Sequence, residues 1–292
     1  MDMKTKLGWG RLNTDFSSIK KIVVAPQIVI YKNIFKNSKE IIDLLQDSRE
    51  ISFFNEWRGW YGQGFRRDAD FSLLDTIDPG TNTFLNLEKE YILEINECMN
   101  YIRKDYLNEF GKENGIWPLF IKDWELLKDT NKKYWIDFFR YDVGFQGKVN
   151  PSGLIMEYHV DELPVPGETK TKRHVATVNF YLNNNYDGGE ICVYDSISNN
   201  TYMYKPMPGD AVIMPSTEPF YHGVKPFSKS DRYFLRAFID SDVKDEIEWK
   251  KQYDITLGQD NLNNVNTEES YVEKDLQTIK LSIPSNLIEV KG

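Results

Sequence analysis

The chain has 292 residues and a formal net charge of −9, enough length for one large domain or two small ones with a substantial core. A hydrophobic content of 40% and an aromatic content of 14% fit a globular protein rich in aromatic packing. The acidic balance argues against a nucleic-acid partner, which favours a basic face; Arg66-Arg67 and Lys170 to Arg173 are only local basic patches. The two cysteines, Cys98 and Cys192, lack CxxC spacing, so neither a disulfide framework nor a Cys-based zinc site is expected. Met1 to Leu12 shows no apolar signal-peptide core, and no apolar run nears the roughly 18 to 20 residues of a membrane span. The expectation is a soluble, cytoplasmic protein without membrane contact. Its wealth of Asn, Lys, Ile and Tyr points to an AT-rich bacterial or viral genome.

In chain order, Ile22 to Tyr31 is β-branched and reads as a strand broken by Pro26. A helix follows, with Asn37 as N-cap, Glu40 three residues on, and Ile41, Ile42, Leu44 and Leu45 as its apolar stripe. Residues 50–75 are loop-like and carry Trp57, Trp60, Tyr61, Phe65, Arg66 and Arg67 among Gly59, Gly62 and Gly64. Leu87 to Phe110 is the strongest helix, with Tyr91, Ile92, Ile95, Met99, Ile102, Tyr106 and Phe110 at helical spacing and Gly111 as its stop. From Lys133 the period becomes that of strands: Tyr134 to Tyr141, Leu154 to His159, Val175 to Leu182, Glu190 to Tyr194, Thr201 to Lys205, Ala211 to Met214 and Arg232 to Ile239. Short strands between frequent turn signals predict an antiparallel sandwich or barrel. Residues 243–292 are acidic and Asn-rich and read as a peripheral extension with some local order.

Two of the three histidines fall in one pattern: His159-Val160-Asp161, then His222, then Arg232 ten residues on. In a strand, side chains two apart share a face, so His159 and Asp161 point the same way. A second strand bringing His222 alongside completes two imidazoles and a carboxylate on one side of a metal, leaving the opposite positions open. Arg232 is placed to hold an acid bound at that metal, since its guanidinium pairs bidentately and stays charged. Each residue also has an ordinary reading. His159 can be a core histidine bonded to Asp161, His222 a turn residue, and Arg232 a strand residue paired with Asp231. His174, outside the pattern, reads as structural or as part of the rim.

These residues resemble the prolyl 4-hydroxylase-like branch of the Fe(II)/2-oxoglutarate-dependent dioxygenases. Arg140-Tyr141 with Gly144 is similar to the strand ahead of the family's HxD. Thr177 to Asn183 with Gly188-Gly189-Glu190 is similar to its "YLN…GGE" segment, and Lys205 to Met214 to its Pro- and Gly-bearing strand. Tyr221-His222-Gly223 and Asp231-Arg232-Tyr233 resemble its distal histidine and co-substrate anchor; Ile28 to Leu45 looks like its opening strand and helix.

The resemblance implies an α+β fold with a mainly β core, a double-stranded β-helix (jelly roll) with supporting N-terminal helices. Residues 1–242 would form a single oxygenase domain, with helical support in 1–132 and the core in 133–242, followed by the extension 243–292. It implies His159, Asp161 and His222 as Fe(II) ligands, Arg232 as the 2-oxoglutarate anchor and Tyr141 as a wall of the co-substrate pocket. Fe(II), 2-oxoglutarate and O2 are the implied cofactors, with ascorbate a further candidate and no catalytic residue beyond the metal ligands. The implied activity is hydroxylation of a C–H bond, in a peptidyl proline or related amino-acid side chain, with decarboxylation of 2-oxoglutarate to succinate. Many members have Lys where Arg232 stands, and the stretches Gly144–Gly153 and Glu162–Arg173 are long. A substrate other than a peptide is therefore admitted. Trp57, Trp60, Tyr61, Arg66 and Arg67 are substrate-contact candidates, as aromatics and cations on a glycine-bearing loop. The competing readings are a non-catalytic jelly-roll or cupin-like binding module, and an oxygenase acting on a small metabolite or, against the acidic balance, on nucleic acid.

Overall fold

A computed structural model describes residues 15–25, 27–47, 53–60, 64–70, 83–110, 136–142, 154–161, 172–242, 278–279 and 286–292. Expectations at Pro26, Tyr61, Gly62, Gly111, Tyr134, 143–153 and 162–171 lie outside these residues, as does the Trp60 side chain. Two helices and sixteen strands are described. β1 (Lys21–Ala25) and β2 (Ile28–Tyr31) precede α1 (Ser38–Gln46). β3 (Arg58–Trp60) and β4 (Gly64–Asp68) precede α2 (Thr83–Phe110). The strands β5 (Ile136–Tyr141), β6 (Met156–His159), β7 (Lys172–Tyr181), β8 (Asp187–Gly188), β9 (Ile191–Asp195) and β10 (Asn200–Tyr204) follow. Then come β11 (Ala211–Pro215), β12 (Phe220–Val224), β13 (Phe227–Ser228), β14 (Arg232–Asp242), β15 (Thr278–Ile279) and β16 (Asn286–Val290).

Eight strands form one sheet in the order β1-β2-β11-β7-β14-β5-β4-β3, and six form a second in the order β15-β6-β12-β9-β10-β16. The predicted jelly roll is thus present as two sheets that do not close on each other. The alternation of β14 shows how the larger sheet serves two layers. Tyr233, Leu235, Ala237 and Ile239 join the helix-side core with Val178, Phe180, Phe138 and Ile213. Phe234 faces the other way, with Phe139, Tyr141, Tyr181 and Met214, in the layer between the sheets. The helices cover the first face through Ile41 and Leu45 of α1 and Ile92, Ile95, Met99 and Ile102 of α2, all fully buried.

Two local expectations are corrected. Asn37 does sit at the N-cap position of α1, but its side chain makes no cap. Its amide donates to Glu94 of α2 instead, which ties the two helices together. Residues 50–75 are not simply loop: β3 and β4 form a hairpin, and β4 continues the larger sheet against β5. The region 1–132 accordingly contributes four strands as well as the helices. The hairpin escaped notice because its strand residues are glycines, charges and aromatics without clean alternation. Their polar groups find partners only in three dimensions: Arg67 donates to the carbonyls of Leu45, Asn55 and Phe54, and Arg58 pairs with Asp68 at 2.8 Å. The extension beyond residue 242 supplies both edges of the smaller sheet. Thr278 pairs with His159, and β16 runs parallel to β10.

Gly64 lies opposite Tyr141 in the β4–β5 register, and a Cβ there would come 2.5 Å from Cε1 of that ring. Gly59, in the same hairpin, has nothing within 4 Å of the corresponding position. Gly64→Ala is expected to destabilise the fold by about 1–3 kcal/mol through overpacking, while Gly59→Ala stays within about 0.5 kcal/mol of the parent. Paired urea titrations check this; equal midpoints for the two variants would refute it.

Candidate metal centre

His159 closes β6 and His222 lies mid-strand in β12, and the two are direct partners in the antiparallel register. Their rings sit 4.2 Å apart between centroids. Asp161 lies past the end of β6, in a bend, so pleat alternation alone does not aim it. Its carboxylate nevertheless reaches both imidazoles, with Oδ2 3.5 Å from His222 Nε2 and Oδ1 3.9 Å from His159 Nε2. One ligand atom from each of the three falls within 4.8 Å of the others. Among the described residues this is the one such cluster of His, Cys, Asp or Glu. All three side chains are nearly inaccessible, at 4%, 7% and 2% exposure for His159, His222 and Asp161.

Side chains from the facing sheet meet the carboxylate. Thr177 Oγ1 donates to Asp161 Oδ2 at 2.6 Å. Because that hydroxyl proton is committed, Ser216 Oγ must be the donor in its 2.8 Å contact with Thr177 Oγ1. Arg236 Nη1 donates to Asp161 Oδ1 at 3.2 Å. Arg236 Nη2 also lies 3.5 Å from Asp137 Oδ2, while Arg66 Nη2 is 2.7 Å from Asp137 Oδ1. Burial acts to raise the Asp161 pKa, but the charges of His222, Arg236 and His159 and the Thr177 hydrogen bond outweigh it, holding the group well below the ordinary carboxylate range. For His222, burial and then the neighbouring His159 charge dominate over Asp161, pushing the imidazole down to about 3. An ionised carboxylate and a neutral imidazole are the protonation states a divalent cation requires.

Arg232 opens β14 opposite Tyr141 and is 1% exposed. Its guanidinium lies over the rings of Phe234 and Tyr181, at 4.8 and 5.3 Å. Within strict hydrogen-bond geometry its Nε and Nη1 and the hydroxyls of Tyr181 and Tyr186 find no partner. Burial raises both of these phenols, opposed by the charge of Arg232 and by hydrogen bonding to it. One narrow cavity is lined by His159, His222, Arg232 and Arg236, with Tyr141, Phe139 and Phe234 among its walls. A buried cation on an aromatic wall shared with the histidines matches the chemistry of a bound carboxylate, and the cavity, about 40 Å³ as it stands, must widen to admit a whole 2-oxoglutarate. The residues present therefore fit both the metal and the co-substrate that the sequence resemblance implied. A larger open groove, about 600 Å³, lies between α1 and Asn183–Asn185, away from these donors.

Of the candidate substrate residues, Trp57, Arg66 and Arg67 have described side chains. Trp57 is half-buried, donates its indole N–H to Leu45 O, and lies under the guanidiniums of Arg67 and Arg140. Arg67 is 6% exposed and spent on backbone carbonyls. Arg66 is the candidate connected to the centre, through Asp137 and Arg236. His174 stacks on Phe238 at 3.9 Å. Sequence reasoning missed Arg236, Asp137 and Thr177. The available signals were period two from Arg232, which puts Arg236 on the same face, and an aspartate inside the aromatic strand Ile136–Tyr141.

Because folded His222 stays neutral where the unfolded chain is protonated, the unfolded state binds more protons between about pH 6.5 and pH 3. EDTA-treated protein should lose stability as the pH falls through that window and show no His222 dependence above it. His222→Gln should flatten the profile. Urea midpoints measured across the window test this, and an unchanged slope in the variant would contradict it.

Residues 149–240 match the family described as the 2OG-Fe(II) oxygenase superfamily. A search of curated proteins gives no match. Similar solved structures include prolyl 4-hydroxylases from Phytophthora capsici (15% identity, 74% of this chain and 59% of that one, TM-score 0.46) and from Pseudomonas putida (14%, 74% and 94%, 0.43). A Trichoplax adhaerens prolyl hydroxylase, in complex with a hypoxia inducible factor oxygen degradation domain peptide fragment, is similar at 15% identity over 85% of this chain and 92% of that one, with a TM-score of 0.43. The chain spans about three fifths of the length of the Phytophthora protein. No helix among the described residues is long and apolar enough to cross a membrane.

Proposed function

We propose that this chain, a 2-oxoglutarate-dependent dioxygenase belonging through residues 149–240 to the 2OG-Fe(II) oxygenase superfamily, hydroxylates a peptidyl proline or a related amino-acid side chain. The observation that carries the reading is the convergence of His159, Asp161 and His222, with both histidines on the wall of a cavity that also holds Arg232. The finer assignment to an amino-acid side chain rests on the sequence resemblance over 134–240.

His159, Asp161 and His222 would hold Fe(II) from one side, with Thr177 and Arg236 orienting the carboxylate. Arg232 would take the far carboxylate of 2-oxoglutarate through Nε and Nη1, while Tyr181 and Tyr186 offer further donors. Phe139, Phe234 and Tyr141 would wall the co-substrate off from water. When bound, iron with 2-oxoglutarate and O2 supplies the oxidising power: one oxygen atom enters the substrate C–H bond, the other enters succinate, and CO2 is released. The protein's work is to bind, orient and exclude water, and no side-chain general base is assigned.

Anaerobic addition of Fe(II) and 2-oxoglutarate should give the weak visible charge-transfer band of the chelate. In air, incubation with a peptide library and amino-acid metabolites should yield succinate and a product heavier by one oxygen atom. No band and no succinate would refute the oxygenase assignment. Product only from non-amino-acid compounds would refute the substrate class. Arg232→Ala should weaken 2-oxoglutarate binding about tenfold or more, since a charged bidentate pair is lost. Isothermal titration of the Mn(II)-loaded protein measures that, and unchanged affinity would exclude Arg232 as the anchor.

A further inference from the structure

Resting on the metal-site reading above, we propose that Arg236 is a positioning residue for the metal-binding carboxylate, braced from behind by Asp137 and Arg66. The inference starts from where β6 stops. His159 and His222 are placed by strand pairing, but Asp161 lies beyond the strand, in a bend. Its direction must come from contacts made by its carboxylate. Thr177 takes Oδ2 and Arg236 takes Oδ1. One donor on each oxygen fixes the plane of the group while leaving lone pairs for a cation.

Arg236 is itself held. Its second nitrogen lies toward Asp137, whose other oxygen is paired with Arg66. Its guanidinium lies between the rings of Phe139 and Phe238, at 5.0 and 4.8 Å. A row of alternating charges, Arg66–Asp137–Arg236–Asp161, therefore crosses from β4 through β5 and β14 to the metal site. The planar fork of arginine suits this bridging of two acids; an ammonium is a point charge and does not reproduce it.

A guanidinium beside a cation site also repels the cation. Charge alone would make its removal tighten metal binding, whereas loss of orientation loosens it, so the sign of the effect separates the two roles. The test uses Mn(II) with the EDTA-treated full chain, reading free Mn(II) by electron paramagnetic resonance. Arg236→Gln should weaken Mn(II) about 10- to 100-fold, in line with other residues that orient metal ligands. Arg236→Lys, which keeps the charge, should also weaken it. Asp137→Asn, which removes only the brace, should give a smaller loss in the same direction. At saturating Co(II), the visible absorption of the Lys and Asn variants should differ from the parent, a change that mere loss of stability does not produce. Unchanged or tighter Mn(II) binding in Arg236→Gln, with the parent binding normally, would overturn the proposal and leave the oxygenase reading standing. If Arg236→Gln does not fold, Asp137→Asn with an unchanged affinity and Co(II) spectrum overturns it. A parent that binds no Mn(II) overturns both.

Discussion

Strand β14 is hydrogen-bonded on both sides, to β5 and to β7, and that double pairing decides which of its residues meet the helices and which meet the second sheet. With side chains alternating, a slip of one residue would send Arg232 and Arg236 into the helix-side core and expose the inter-sheet layer to Leu235 and Ala237. The register is secured by what each face buries: Tyr233, Leu235, Ala237 and Ile239 against the helices, and Phe234 stacked on Phe139 at 4.9 Å on the other. The hydrophobic packing that stabilises the sheet also sets the spacing of the two guanidiniums, four residues or about 13 Å apart along the strand.

The site is an unusual concentration of buried charge. Asp137, Asp161 and Arg232 are almost inaccessible, and Arg236 nearly so. Isolated charges of this kind cost several kcal/mol each to bury. The arrangement offsets that cost by alternating signs from Arg66 to Asp161, so that each acid lies beside an arginine. Arg232 stands apart from the row. It lies among aromatic rings and two phenols rather than beside an acid, and its Nε and Nη1 remain open to an anionic ligand.

Much of the core was legible because strand alternation and turn signals are strong between residues 134 and 240, and because His159, Asp161 and His222 are rare residues in a fixed order. The long helix was equally plain from its apolar stripe. What could not be read is what depends on contacts between distant segments. The hairpin of β3 and β4 lacks clean alternation because Arg66, Arg67 and Asp68 are satisfied by Asp137, backbone carbonyls and Arg58 rather than by water. Asn37 looked like a cap, which would accept from the helix's free N–H groups, yet its side chain is engaged as a donor to Glu94, 57 residues away in sequence. Asp161 does cluster with His159, but from a bend rather than from the strand, with its carboxylate met by Thr177 and Arg236.

The two short strands from the end of the chain bear on how another polypeptide can approach. β6, which carries His159, is not an edge strand, because Thr278 and Ile279 lie along it. Two residues are too few to template further pairing. The longer outer edge of that sheet belongs to β16, with Leu287 and Ile288 exposed. Four strand spacings separate β16 from β6, about 19 Å. Among the described residues, a guest peptide recruited by backbone pairing would dock on the side of the sheet remote from the histidines.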